Sequence, residues 1–403
     1  MKQAKQRVVA IDYFRGLCIL AVILNHSMLF SMPFAYLSGA SMLWTSAAEM
    51  FLLLSGLTLG IVRGSRIKDD FKNLTLKMWR RSAYIYLINI IIVSLSLLLA
   101  LYFTSHGVNN YILGELPHQS GLSLLWSMAN LSYGIGWASF LALYSVYMVF
   151  APFLLYALRS KFWYTVPLVS LTFFVFNYIQ PEVFGYASNF ALWQVYFVMG
   201  LVLSRFRVSI ISRAYSLNRY MRKGAATTVL LATSLILALN ILLNFNISPY
   251  VDRMVHQGLI PARLEAYYIQ LLQHRSRLDI MFMNSRTGVL RPAITLLFLA
   301  AAYILYQRHK QFLLRQTGRY INKLGSETMW VFVAQALAIP LLAALPLPRN
   351  VLTNSLLTIV LVTAMWQVAN RREILVSAKS YVSTLKNSYS QAKYNYLSRY
   401  EDA

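Results

Sequence analysis

Residues 10–27 read AIDYFRGLCILAVILNHS, an apolar run that carries three ionisable side chains, Asp12, Arg15 and His26. A helix crosses the hydrocarbon of a bilayer in about 20 predominantly apolar residues, and this run with its flanks is long enough. Positions 12, 15, 19, 22 and 26 advance by alternating steps of three and four, so on a helix they share one face. His26 lies eleven residues beyond Arg15, about 16 Å along the axis at 1.5 Å per residue. One face thus joins an acid–base pair near the start of the helix to a histidine near its far end. Ionisable groups in hydrocarbon cost a few kcal/mol or more at the bilayer centre, which makes each of them a functional candidate. A histidine that only bonds a neighbouring helix, and an ion pair that only fixes the helix end, would also fit these positions.

The same kind of run recurs along most of the chain. Of 403 residues, 58% are hydrophobic and 12% charged, with a mean hydropathy of +0.52; soluble domains carry about 25% charged residues. The fold class expected is all-α, a polytopic membrane helix bundle of about ten spans at 11–32, 42–62, 82–105, 136–158, 162–180, 190–206, 225–245, 289–306, 324–344 and 350–369. Residues 1–370 would be the transmembrane domain and 371–403 a basic, Tyr-rich cytoplasmic tail. The net charge of +24 does not point to nucleic acid, because the basic residues cluster between spans. With the N-terminus inside, cytoplasmic segments hold 29 of the 37 Lys and Arg, as the positive-inside rule requires. Both termini are therefore expected inside. The single cysteine, Cys18, forms no internal disulfide, no metal-ligand cluster is visible, and MPFAYLSGAS at 32–41 is a poor cleavage site, so the first run reads as a retained helix.

The second span runs back through TSAAEMFLLLSG at 45–56 and carries Glu49 about two turns from its outer end, at a depth close to that of His26. A carboxylate and an imidazole at equal depth on consecutive helices can act as a base and its orienting partner. The loop 63–81 holds Arg63, Arg66, Lys68, Lys72, Lys77, Arg80 and Arg81. Arginine pairs with phosphate through paired hydrogen bonds, although positive-inside bias alone also produces such a loop. LLWSMANLSYGIG at 124–136 has the look of a re-entrant or interfacial stretch. Segment 246–288 is long, polar and extracytoplasmic in this topology, and LEAYYIQLLQHRSRLDIMF within it has the spacing of an amphipathic helix. That helix would rest on headgroups or cap a polar substrate.

The stretch at 10–27 resembles the signature of the membrane acyltransferase superfamily, with Arg15 and His26 at its Arg–His spacing. SAAEMFLLLSGLTLGIVRG at 46–64 resembles more specifically the OpgC-like branch, osmoregulated periplasmic glucan succinyltransferases. Weaker likenesses are ALWQVYFVMGLVLSR at 191–205, SRTGVLRPAITLLFLAAAYIL at 285–305 and LGSETMWVFVAQALA at 324–338. The resemblance implies an acyl-CoA donor, succinyl-CoA or acetyl-CoA, reached from the cytoplasm and not held permanently. It also implies a periplasmic glucan or other glycan as acceptor and a location in the bacterial inner membrane. His26 and Arg15 match the family's essential residues, and Glu49 takes the place of the acid on the second helix.

On that reading His26 is the general base, Glu49 holds its ring, and Arg15, fixed by Asp12, orients the donor. Arg63, Arg80 and Arg81 would meet the donor's phosphates. Asn25, Gln194 and Gln335 are candidate oxyanion or sugar contacts, and Trp193, Tyr196 and Trp137 candidate sugar platforms; helix–helix bonding and interfacial aromatic belts would account for them too. The rival class is a proton-coupled transporter in which His26 and Glu49 relay protons. Transporters often show inverted repeats and broken helices; no repeat is visible, and Pro152, Pro167 and Pro340 do not fall in corresponding halves.

Overall fold

A computed structural model describes residues 9–27, 33–34, 38, 43–107, 121–134, 139–244, 255, 261–273, 288–345, 347–348 and 350–371. Among them there are helices and turns and no strand. The helices are α1 (Val9–His26), α2 (Ala47–Arg63), α3 (Phe71–Ser105), α4 (Gly121–Ala129), α5 (Ser139–Leu158), α6 (Thr165–Ile179) and α7 (Ser188–Ser216). There follow α8 (Arg219–Asn244), α9 (Ala262–Gln273), α10 (Arg291–Gln316), α11 (Gly318–Ser326), α12 (Thr328–Ala344) and α13 (Val351–Arg371). The chain is a multi-pass helical membrane protein.

The described residues do not reach the count of about ten spans expected. Seven helices among the described residues are long and apolar enough to cross a membrane, or eight if the bent pair α11–α12 is one span. The expected span at 162–180 is the 15-residue helix α6, which falls short. The one at 289–306 is part of α10, whose apolar stretch is bounded by Arg291 at one end and Arg308 at the other. The run at 324–344 is broken: α11 and α12 meet at 85°. The basic loop 63–81 is also mostly helix, since α3 starts at Phe71 and carries Lys72, Lys77, Arg80 and Arg81 in its first turns. Long basic side chains are good helix formers, so nothing stops the helix where the apolar run stops.

Helix α3 shows how each helix faces two solvents. Leu87, Ile91, Leu98 and Tyr102 are exposed on one side, while Met78, Ile85 and Ile92 are buried on the other. In lipid the exposed stripe needs no further partner, and association rests on close packing instead. That packing runs through glycine. Gly56 and Gly60 of α2 form a small-xxx-small pair against α7, where a Cβ on Gly56 would overlap the Phe197 carbonyl and one on Gly200 the Leu53 carbonyl. At one end of α1 the pattern repeats with α11: a Cβ on Gly16 would meet the Ile321 carbonyl, and one on Gly325 the Asp12 carbonyl.

Helix α4 overlaps the stretch expected to be re-entrant or interfacial, and it exposes Leu122, Leu125 and Trp126. Helix α9 lies in segment 246–288, where the apolar spacing predicts an amphipathic helix, and exposes Leu264, Tyr267 and Ile269. Trp137, most of 246–288 and the tail 372–403 lie outside the described residues.

Candidate active site

His26 is the last residue of α1. It lines a small cavity, partly open to the surroundings, together with Ile19, Val22, Ala48, Phe51, Phe140 and Phe332. Four helices supply these walls: α1, α2, α5 and α12. Every wall except the imidazole is apolar. Ile19, Val22 and His26 come from the face that helical spacing predicts, and Nδ1 of His26 is buried with no hydrogen-bond partner among the described residues.

Arg15 lies on the same face towards the other end of α1. Its guanidinium donates to the Thr328 hydroxyl at 2.8 Å and stands over the Phe51 ring, 5.2 Å from the centroid. Phe51 therefore serves twice, as a cavity wall and as a cation–π partner, a contact worth about 0.5–2 kcal/mol according to its desolvation. The Nε of Arg15 is buried and has no hydrogen-bond partner among the described residues. Asp12, Arg81 and Tyr144 lie within electrostatic reach of this guanidinium. Arg81 and Arg80 are exposed on the first turns of α3, and Arg63 is half-buried in the last turn of α2. Arg81 and Arg15 thus sit at one end of the bundle, with His26 at the other end of α1.

Glu49 has other partners than the imidazole expected. No hydrogen bond joins it to His26 among the described residues. Its Oε1 accepts from Arg291 Nε at 2.7 Å, and its Oε2 accepts from the Ser46 backbone N–H at 3.0 Å. The hydroxyls of Thr45 and Thr295 each stand 3.2 Å from Oε2. The sequence dictates the first part locally, since Ser46 and Glu49 form a capping box at the start of α2. The second part is tertiary: α10 brings Arg291 and Thr295 to the same carboxylate. Glu49 is fully buried, so the ion pair is a desolvated knot between α2 and α10 whose breakage on one side costs about 3–5 kcal/mol. The Tyr196 hydroxyl lies beside the pair. Arg291 escaped the reading of the sequence. Its signal is an arginine heading an apolar span on the side that the charge count makes the outer one, against the positive-inside bias.

The remaining candidates separate. Trp193 is half-buried with its ring 6.1 Å from that of Tyr196, which places it near the Glu49–Arg291 knot. The amide of Gln194 is occupied: Oε1 accepts from the Ser170 hydroxyl at 2.6 Å, and Nε2 donates to the Ser170 carbonyl at 2.7 Å. It bonds α7 to α6. Asn25, next to His26, accepts from the Ser38 hydroxyl at 2.5 Å. Gln335 is fully buried in α12, and neither of its amide atoms has a partner among the described residues. An unpaired buried polar group costs about 1–3 kcal/mol, so Gln335 is the amide in this set with capacity to spare.

The family model described as OpgC protein matches residues 7–375, which takes in every helix described above. No curated protein and no solved structure matches the chain.

Proposed function

The chain belongs to the OpgC protein family, and from that premise we propose that it is an integral membrane O-acyltransferase of the bacterial inner membrane. It takes a succinyl or acetyl group from acyl-CoA on the cytoplasmic side. It passes that group to a hydroxyl of a periplasmic glucan or another extracytoplasmic glycan. The observation that carries this reading is the face of α1: Arg15 at one end, His26 at the other, and between them a cavity with apolar walls. An acyl-CoA cannot cross a bilayer whole, because its nucleotide is multiply charged, but its thioester arm can enter between helices. The charge count puts Arg15, Arg63, Arg80 and Arg81 on the cytoplasmic side, where the phosphates would stay.

Neutral His26 then removes the proton of the attacking sugar hydroxyl as that oxygen bonds to the thioester carbonyl carbon. The carbon–sulfur bond breaks, the thiolate leaves, and the proton passes from the imidazolium to the thiolate or solvent. General-base assistance of this kind supplies about 10²–10⁴ in rate. The apolar walls keep water away from the thioester and so disfavour its hydrolysis. Arg15 orients the donor, with its guanidinium fixed by Thr328 and Phe51. Glu49, bound by Arg291, braces the outer rim at α2 and α10 instead of holding the imidazole, and Trp193 offers a ring near that rim for a sugar.

A proton relay between His26 and Glu49, as a transporter would use, needs the two in hydrogen-bond contact. The ion pair with Arg291 favours transfer over relay. The test uses purified protein in lipid with labelled acetyl-CoA and succinyl-CoA and a glycan acceptor, together with ester analysis of periplasmic glycans in a knockout. Transfer of label and loss of glycan esters are expected. Absence of both, with uptake or export of a solute instead, would overturn the reading.

A further inference from the structure

The packing between α1, α3 and α12 contains two buried amides that the steps above do not use. Gln335 sits among Val331, Phe332, Ala336 and Ile339, which pack with Ile19, Val22 and Ile23 of α1 and with Ile85 and Ile92 of α3 in one apolar cluster. Asn89 lies between Ile85 and Ile92 on the buried face of α3. Gln335 is 0% and Asn89 2% exposed. Both amide atoms of Gln335 and the Oδ1 of Asn89 have no hydrogen-bond partner among the described residues. One carboxamide with neither atom satisfied and a second with its oxygen unsatisfied, both buried in one apolar cluster, are a costly arrangement in lipid, where no bulk water can satisfy them.

Their depth is informative. Thr328 marks the level of Arg15, to which it is bonded. Gln335 lies seven residues along α12 from Thr328, and His26 eleven along α1 from Arg15. At 1.5 Å per residue Gln335 is about 6 Å, roughly one turn, nearer the Arg15 end than His26. Asn89 lies eight residues along α3 from Arg81, which is within electrostatic reach of Arg15, and so reaches a similar level. Phe332, one turn before Gln335 on the same face, is a wall of the His26 cavity.

We infer that Gln335 and Asn89 form a binding element for the amide groups of the donor's arm, one helical turn inward of the reacting thioester. This rests on the acyl-CoA reading given above. In the pantetheine arm the first amide is two methylenes from the sulfur, about 4 Å when extended. With the thioester at His26 and the nucleotide towards Arg81, that amide lies at the level of Gln335. A side-chain carboxamide both donates and accepts, and so matches a secondary amide on both its N–H and its C=O. The pair would let the arm enter while excluding a hydrocarbon chain of the same length, which would leave both amides unpaired.

The experiment compares two truncated donors carrying the acyl group that wild type transfers from CoA: the N-acetylcysteamine thioester, which keeps the first amide, and the S-pentyl thioester of equal length, which lacks it. Wild type should favour the amide donor by about tenfold or more in kcat/KM, equivalent to about 1.4 kcal/mol. Gln335→Leu should reduce that preference to near unity and raise KM for acyl-CoA with little change in kcat, and Asn89→Leu should shift both in the same direction. Gln335→Met serves if the leucine variant does not fold. A wild type without the preference, a preference retained in both variants, or a parallel loss with both donors would overturn the inference and leave acyl transfer standing. Absence of any transfer by wild type would instead refute the reading on which it rests.

Discussion

The two ends of α1 meet their neighbours in opposite ways. At the Asp12 end, Gly16 and the facing Gly325 of α11 bring two backbones into direct contact. At the His26 end the partner is α12, and there the walls leave a cavity and an imidazole nitrogen with no hydrogen-bond partner among the described residues. The 85° bend between α11 and α12 separates these regimes, and the Thr328 hydroxyl that binds Arg15 sits at the bend. One helix is therefore anchored at one end and open to chemistry at the other. In lipid, where burial of apolar surface adds little, close backbone contact holds the bundle, so room for a substrate must be made where that contact stops.

The contrast is broken most severely at the anchored end. Gly325→Val should destabilise the protein by more than about 4 kcal/mol, because the added carbons overlap the Asp12 carbonyl and backbone cannot give way; loss of monodisperse protein after detergent extraction checks this. Next comes the rim. Glu49→Ala should cost about 3–5 kcal/mol by breaking the buried carboxylate's ion pair with Arg291, and the double variant Glu49→Leu with Arg291→Leu should regain most of the lost melting temperature. At the open end, Val22→Phe places a ring in the cavity. It should lower acyl transfer by about 10–100-fold through misplacement of the donor, with Tm held. The smallest effect belongs to Gln194→Leu, which removes one helix–helix contact worth about 0.6 kcal/mol and should leave transfer kinetics unchanged; a large rise in KM for the glycan would make Gln194 a sugar contact after all.

What could be read from the sequence was what helical geometry fixes within a single helix. The shared face of Arg15, Ile19, Val22 and His26 follows from spacing alone; the capping box of Ser46 and Glu49 is local too, but it comes to light only in the structure. What spacing cannot say is which helices meet. Glu49 and Arg291 are 242 positions apart, so the carboxylate's partner was assigned to the nearest helix with an imidazole at the right depth. The bend at Glu327 follows Gly325 and Ser326, a pair that can kink a helix, but hydropathy alone reads 324–344 as one apolar run. The basic start of α3 has the sequence pattern of a loop because hydropathy marks where lipid ends, not where a helix does. Gln194 and Gln335 look alike in sequence, and only packing shows that one is occupied and the other is not.

The central claim is that the open end of α1 performs acyl transfer through His26. The most direct measurement is transfer of label from acyl-CoA to glycan by His26→Ala in lipid, with its melting temperature taken alongside. The account predicts a fall of about 10²-fold or more at an unchanged Tm. Full transfer by a well-folded His26→Ala protein would contradict it.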